Sequence, residues 1–203
     1  MNEPLEQPRP PVTGGLTSSA VRVPGPAAGP APIPLDRPTP VVDLRVPTEE
    51  DAYAWREVFD DPEVMEFFGG RSAEPSVYLE LTARQRRHHA ELGYCLYTLT
   101  DPLDGSVVGF TGAQPWPREW GPVGEVEIGW RLARRYWGRG YATAAARLAL
   151  ESVRTAGVPE VVAMVDTRNE RSLAVCRRLG MREAETYARP GTEATSVCYR
   201  LTL

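Results

Sequence analysis

Between residues 123 and 156 the apolar pattern changes period from 2 to 3.6, and the change falls on Gly138-Arg139-Gly140. Before it, Glu125, Glu127, Gly129 and Arg131 share one face of an alternating run, and Val126, Ile128, Trp130 and Leu132 share the other. That alternation predicts a strand over 123–132. After it, Tyr141, Ala145, Leu148, Ser152 and Ala156 fall on one helical stripe that Gly157 stops. A strand feeding a helix through glycines lets backbone amides come close to a ligand, and the unpaired N–H groups of the helix start receive an anion. Arg131, Arg134, Arg135 and Arg139 surround the junction, with no acidic residue between Arg131 and Leu150. A ligand bearing a diphosphate is the natural guest. The spacing excludes the commoner nucleotide loops: there is no GxGxxG run, and GxxxxGK[ST] cannot occur in a chain without lysine.

The rest of the chain supplies alternating strands and helices. Eleven of the 20 prolines lie within residues 1–40, which are also rich in glycine and balanced in charge, so this segment reads as a flexible or partly polyproline-like tail. Beyond it, 41–46 reads as a first strand and 49–60 as a helix capped by Thr48, with Ala52, Trp55, Val58 and Phe59 on one face. A short helical turn follows over 62–68, then a helix over 76–90 that ends in the polar run RQRRHH. Strands are expected at 94–99, 107–112, 161–165, 181–188 and 196–203, with a helix over 169–179. The segment PWPREWGP reads as a loop with two exposed tryptophans.

Composition narrows the chemistry. With 203 residues, 42% hydrophobic and 25% charged, one globular domain at 41–203 is expected. The net charge of -4 gives no field that would draw the chain to nucleic acid or an anionic membrane. All 23 basic residues are arginine, which excludes Schiff-base chemistry by the chain. Cys95, Cys176 and Cys198 form no CxxC pair, so reduced, buried thiols are expected rather than a metal site or disulfide scaffold. No apolar run approaches the roughly 18 residues of a membrane helix, and the expected location is cytoplasmic.

The chain resembles the GNAT superfamily of N-acetyltransferases, and within it the bacterial branch of ribosomal-protein N-terminal acetyltransferases. The likeness rests on EIGWRL (127–132), on Arg135-Tyr136-Trp137-Gly138-Arg139-Gly140 in the place of the acyl-CoA motif, on YWGRGYAT (136–143), and on Asn169 and Ser172 followed by Leu179-Gly180. It extends over about 41–203. The resemblance implies a mixed α/β fold, mostly antiparallel in its central sheet, and acetyl-CoA as cosubstrate. Trp130 and Leu132 would offer backbone groups to the pantetheine arm, Arg135 to Gly140 would hold the diphosphate, and Asn169 would contact the arm. The reaction implied is acetyl transfer to a primary amine of a small molecule or a protein N-terminus, in a monomer or homodimer. Three positions depart from the family: Ala144 where Glu is common, Met181 where Phe is common, and Cys176 where many members place a tyrosine that protonates the leaving thiolate.

Direct transfer needs a base for the amine and a donor for the thiolate. Glu127 is the first candidate base and Glu125 the second; Ser172 is the candidate donor. A covalent route through Cys176 would need a base such as His88 or His89, which instead read as surface. A noncatalytic acyl-CoA-binding module of the same fold is the alternative reading. For the tail, the composition predicts that deleting residues 1–36 leaves the thermal unfolding midpoint almost unchanged; loss of cooperative unfolding would show that the tail packs into the fold.

Overall fold

The computed structural model describes residues 39–203. The expected tail therefore lies outside the described residues except for Thr39 and Pro40. The chain forms β1 (Asp43–Arg45), α1 (Asp51–Phe59), α2 (Pro62–Met65), α3 (Pro75–Leu92), β2 (Leu96–Thr100), β3 (Val107–Pro115) and β4 (Val126–Leu132). A 3-10 turn, Arg134–Tyr136, leads to α4 (Tyr141–Thr155), followed by β5 (Glu160–Asp166), α5 (Glu170–Arg178), β6 (Arg182–Ala188) and β7 (Thr195–Thr202). The strands make one seven-stranded sheet in the order β1-β2-β3-β4-β5-β7-β6. All neighbours are antiparallel except β4 and β5.

The two faces of the sheet are buried by different helices. Leu96 and Phe110 face α1 and α3, where Trp55, Phe59 and Tyr78 close one core cluster. Tyr97, Ala113, Ile128, Val161 and Ala163 face the opposite way, against Ala149 and Val153 of α4 and Leu173 and Cys176 of α5. The Trp55 and Phe59 rings meet Phe110 at 5.1 and 5.4 Å between centroids, a range in which aromatic pairs add to their area burial.

Local chemistry shifts some element boundaries. Thr48 does not cap α1 with its side chain. Instead Asp51 accepts from the Thr48 N–H at 2.7 Å and from Arg45 at 2.8 Å. Burial opposes the Asp51 charge, and these two donors outweigh it, holding the carboxyl below its ordinary range. The strand expected from 123 begins only at Val126. The tryptophans of the PWPREWGP loop are half-buried, not exposed: Trp116 and Trp120 meet edge to face at 5.7 Å, and Trp116 Nε1 donates to the Trp120 carbonyl.

Gly112, in the middle of β3, has φ +147°, and a Cβ there would lie 1.9 Å from the Cys95 carbonyl oxygen. No side chain fits without moving β2. Gly112→Ala is expected to lower stability by about 2 kcal/mol or more, through backbone strain and the forced separation of two core strands. Urea unfolding checks this; an unchanged midpoint would contradict the tight β2–β3 approach.

Candidate active site

β4 and β5 pair at one register position, Glu127 with Val162. Toward its C-terminal end, β4 therefore has a strand partner on the β3 side and parts from β5 on the other. Ala133 donates to the Val108 carbonyl, so the odd-numbered β4 residues exchange hydrogen bonds with β3. The backbone groups of Ile128, Trp130 and Leu132 then point toward β5. A cavity of about 430 Å³ opens at this splay, lined among others by Trp130, Leu132, Asn169 and Ser172. Tyr136, Trp137, Gly138 and Gly140 line it as well. Arg135, Arg139 and Glu127 do not.

The glycine loop follows from a few contacts. Gly138 and Gly140 have φ +68° and +86°, and Gly140 is the N-cap of α4. Nothing lies within 4 Å of a Cβ built on Gly138, whereas one on Gly140 would sit 3.1 Å from Pro40 Cδ. The loop is pinned by Trp137 Nε1 donating to the Leu132 carbonyl at 2.8 Å. It is pinned also by Tyr141 donating to Asp101 at 3.1 Å and by Tyr136 bonded to Ser106 at 2.8 Å. Arg135 and Arg139 are exposed above these tyrosine rings, 5.0 to 5.8 Å from the centroids. The loop thus has an open side, free helix-start amides and cations near it, which fits a diphosphate.

Across the splay, Asn169 caps α5 by accepting from the Ser172 N–H at 3.1 Å, and Ser172 Oγ accepts from Trp130 Nε1 at 3.3 Å. Trp130 thereby ties β4 to the start of α5. Cys176 is fully buried behind this turn and does not line the cavity. Burial pushes its thiol up to about 12, so a thiolate nucleophile at neutral pH finds no support. His88 and His89 also lie outside the lining.

Glu127 projects from the other face of β4, toward α3. Its register partner Gln114 hydrogen bonds to it. Gln114 accepts from Gln85 Nε2 at 2.9 Å, and Gln85 Oε1 accepts from the Leu96 N–H at 2.9 Å. Burial raises the Glu127 carboxyl to about 7, against the lowering effects of Gln114, Arg118 and Arg131. A carboxyl near neutrality is suited to proton transfer. Glu125 is a different case. It precedes β4 and is held by both outer nitrogens of Arg200, at 2.6 and 3.0 Å, while the same guanidinium also binds Glu160 and Glu185. The two carboxylates share the face that the alternation predicts, with Arg200 on the same side of the sheet, but Glu125 is committed to an ion pair.

The sequence model of the acetyltransferase (GNAT) domain family matches residues 42–182. The chain belongs to the GNAT acetyltransferases. It is therefore an acetyl-CoA-dependent acyltransferase acting on amine-bearing acceptors. The uncharacterized protein YkkB of Bacillus subtilis is 32% identical over 132 residues, 64% of this chain and 74% of YkkB. A Bordetella pertussis structure assigned to the same acetyltransferase family superposes with a TM-score of 0.68 at 23% identity, covering 83% of this chain and 97% of that one. YncA of Salmonella typhimurium, solved with acetyl-CoA, superposes with a TM-score of 0.63 at 18% identity, over 80% of this chain and 94% of its own.

Two departures from the GNAT pattern have structural reasons here. Ala144 is buried in the cluster of Val42, Leu99 and Leu132, where a glutamate would lose its solvation. Met181 is buried among the side chains beneath α4 and α5, an apolar position that a flexible thioether fills. Sequence reasoning missed Gln114 as the partner of Glu127 and Gln85 as the residue that holds Gln114. In the loop, Gly138→Val is expected to weaken acetyl-CoA binding at least tenfold by forcing φ out of the left-handed region and covering the open side. Calorimetric titration reads this directly; an unchanged Kd would remove the loop from the binding site.

Proposed function

We propose that the protein transfers acetyl directly from acetyl-CoA to a primary amine in a ternary complex, and that residues 41–203 carry the activity while 1–40 are an appendage. Acetyl-CoA supplies the activated thioester. The diphosphate rests on the loop from Arg135 to Gly140, with Gly138 and Gly140 giving amide access and the arginines adding charge. The arm runs along the β4 edge at Trp130, with Asn169 across from it. The Leu132 N–H also faces this gap, whereas its carbonyl is already engaged by Trp137.

Glu127 accepts the amine proton, directly or through a water, as nitrogen attacks the thioester carbon. The carbon–sulfur bond breaks, and Ser172 supports the leaving thiolate with its O–H. Trp130 donates to the Ser172 oxygen, which leaves the hydroxyl proton available for this purpose. The observation that carries the reading is the position of Glu127: at the root of the splay, half-buried, and with a carboxyl raised to about 7. The acceptor is the primary amine of a protein N-terminus, as the motif likeness to ribosomal-protein acetyltransferases suggests, or of a small molecule.

Because the raised carboxyl is a competent base only once ionised, kcat/KM is expected to climb as pH rises through about 7. Glu127→Gln should remove that limb and lower kcat/KM on the order of 100-fold at low pH, recovering as free amine accumulates. A variant with wild-type kcat/KM across the profile would exclude Glu127. Ser172→Ala is expected to lower kcat while leaving the acetyl-CoA Kd unchanged; equal losses in both would make Ser172 a binding residue instead.

A further inference from the structure

Arg131 is a cation with no carboxylate in contact; the charge of Glu127, on the same strand face, reaches it only through space. Its guanidinium lies 3.7 Å from the Phe68 ring centroid and 5.2 and 5.4 Å from those of Phe59 and Phe110. Its remaining partners are neutral: Met65 Sδ at 3.9 Å and the Tyr78 hydroxyl. Its Nε is wholly buried without an acceptor. Among the described residues no carboxylate forms an ion pair with it. The carboxylates lining the cavity are taken, Glu63 by Arg134 at 2.7 Å and Glu170 by Arg177 at 3.3 Å. A guanidinium enclosed by aromatic rings without a contact counter-ion is unfavourable unless something else supplies the charge, since desolvation outweighs what Tyr78 and the more distant Glu127 restore.

Arg131 also lines the cavity. It shares its strand face with Glu127, four residues away or about 13 Å along the strand, and the residue between them on that face is Gly129. Nothing lies within 4 Å of a Cβ built on Gly129. The floor between the carboxyl and the guanidinium is therefore bare. Arg131 reaches the cavity while Glu127 and Gly129 stay outside its lining, so a small molecule held at Arg131 by an oxyanion would extend its amine along this bare strip toward Glu127.

We infer that Arg131 is the anion anchor of the acceptor site, and that the acceptor is a small amine bearing a carboxylate a few bonds from the nitrogen, an amino acid or a close analogue. The inference rests on the acetyl-transfer reading and narrows it. The fork of the guanidinium binds a planar carboxylate through two parallel hydrogen bonds, strengthened by the apolar walls. Phe59, Phe68 and Phe110 hold the fork in place, so little freedom is lost when the carboxylate arrives.

The test measures acetyl transfer to each common amino acid beside its carboxamide, in wild type, Arg131→Met and Arg131→Lys. Wild type is expected to favour at least one acid over its amide by about 100-fold in kcat/KM, as for a desolvated charge-assisted pair. Arg131→Met should bring that ratio close to one through the KM of the acid, with the acetyl-CoA Kd unchanged, and Arg131→Lys should recover part of it. Acids no better than amides, a preference retained in Arg131→Met, or a preference for amidated peptides would overturn the inference. A second measurement does not depend on turnover or on the variants folding. Calorimetry on the CoA-loaded wild type should show N-acetyl amino acids binding where their amides do not. Carboxylate-dependent binding without turnover would count against Glu127 chemistry and for Arg131; no difference between acid and amide would count against Arg131.

Discussion

The active region depends on one interrupted pairing. A parallel contact between β4 and β5 closes at Glu127 and Val162 and goes no further. Ladder hydrogen bonds would normally satisfy both edges of a central strand, and leaving one edge open in a core is unfavourable unless a ligand or water completes it. Here the opening also sets direction. Because the odd-numbered β4 residues are bonded to β3, the backbone of Trp130 and Leu132 faces the gap. The Trp130 side chain then reaches across it to Ser172, which fixes the width of the gap at its far side.

The alternation of β4 separates two chemical environments within seven residues. Ile128, Trp130 and Leu132 face α4, while Glu127, Gly129 and Arg131 face α1 and α3. The first set belongs to the donor side. The second holds two ionisable groups against aromatic and amide neighbours, with the bare Gly129 between them. Each cation–aromatic contact contributes about 0.5 to 2 kcal/mol, and three such contacts offset part of the desolvation of Arg131. Glu127 is supported instead by the chain of side-chain amides from Gln114 to Gln85, which ends on the Leu96 N–H. A helix, two neighbouring strands and one carboxyl thus share a single hydrogen-bonded line.

Local patterns made much of this legible. The Gly138-Arg139-Gly140 junction, the α4 stripe and the Asn169 cap are written in contiguous residues, and the structure places them where the pattern does. What escaped depends on distant partners. Glu125 continues the alternation of β4, yet it is no free base because Arg200, 75 residues on, captures its carboxylate. Gln85 sits in the polar run RQRRHH and looks like a surface residue, but it is fully buried because Gln114, 29 residues away, completes its bonding. Arg131 reads as one more cation beside the glycine loop; the rings that enclose it come from α1, β3 and the segment after α2. Trp116 and Trp120 looked exposed because nothing in the alternation shows that a loop can bury its own aromatics.

The central claim is that the β4 edge beyond Glu127 is the groove that receives acetyl-CoA. Residue-resolved amide hydrogen exchange with and without CoA tests it most directly. Without ligand, the Trp130 N–H should exchange faster than those of Gly129 and Arg131, which are bonded to β3. CoA should slow exchange at Trp130, Gly138 and Gly140 while leaving Gly129 and Arg131 unchanged. A Trp130 amide as protected as its neighbours in the free protein, or indifferent to CoA, would contradict the account.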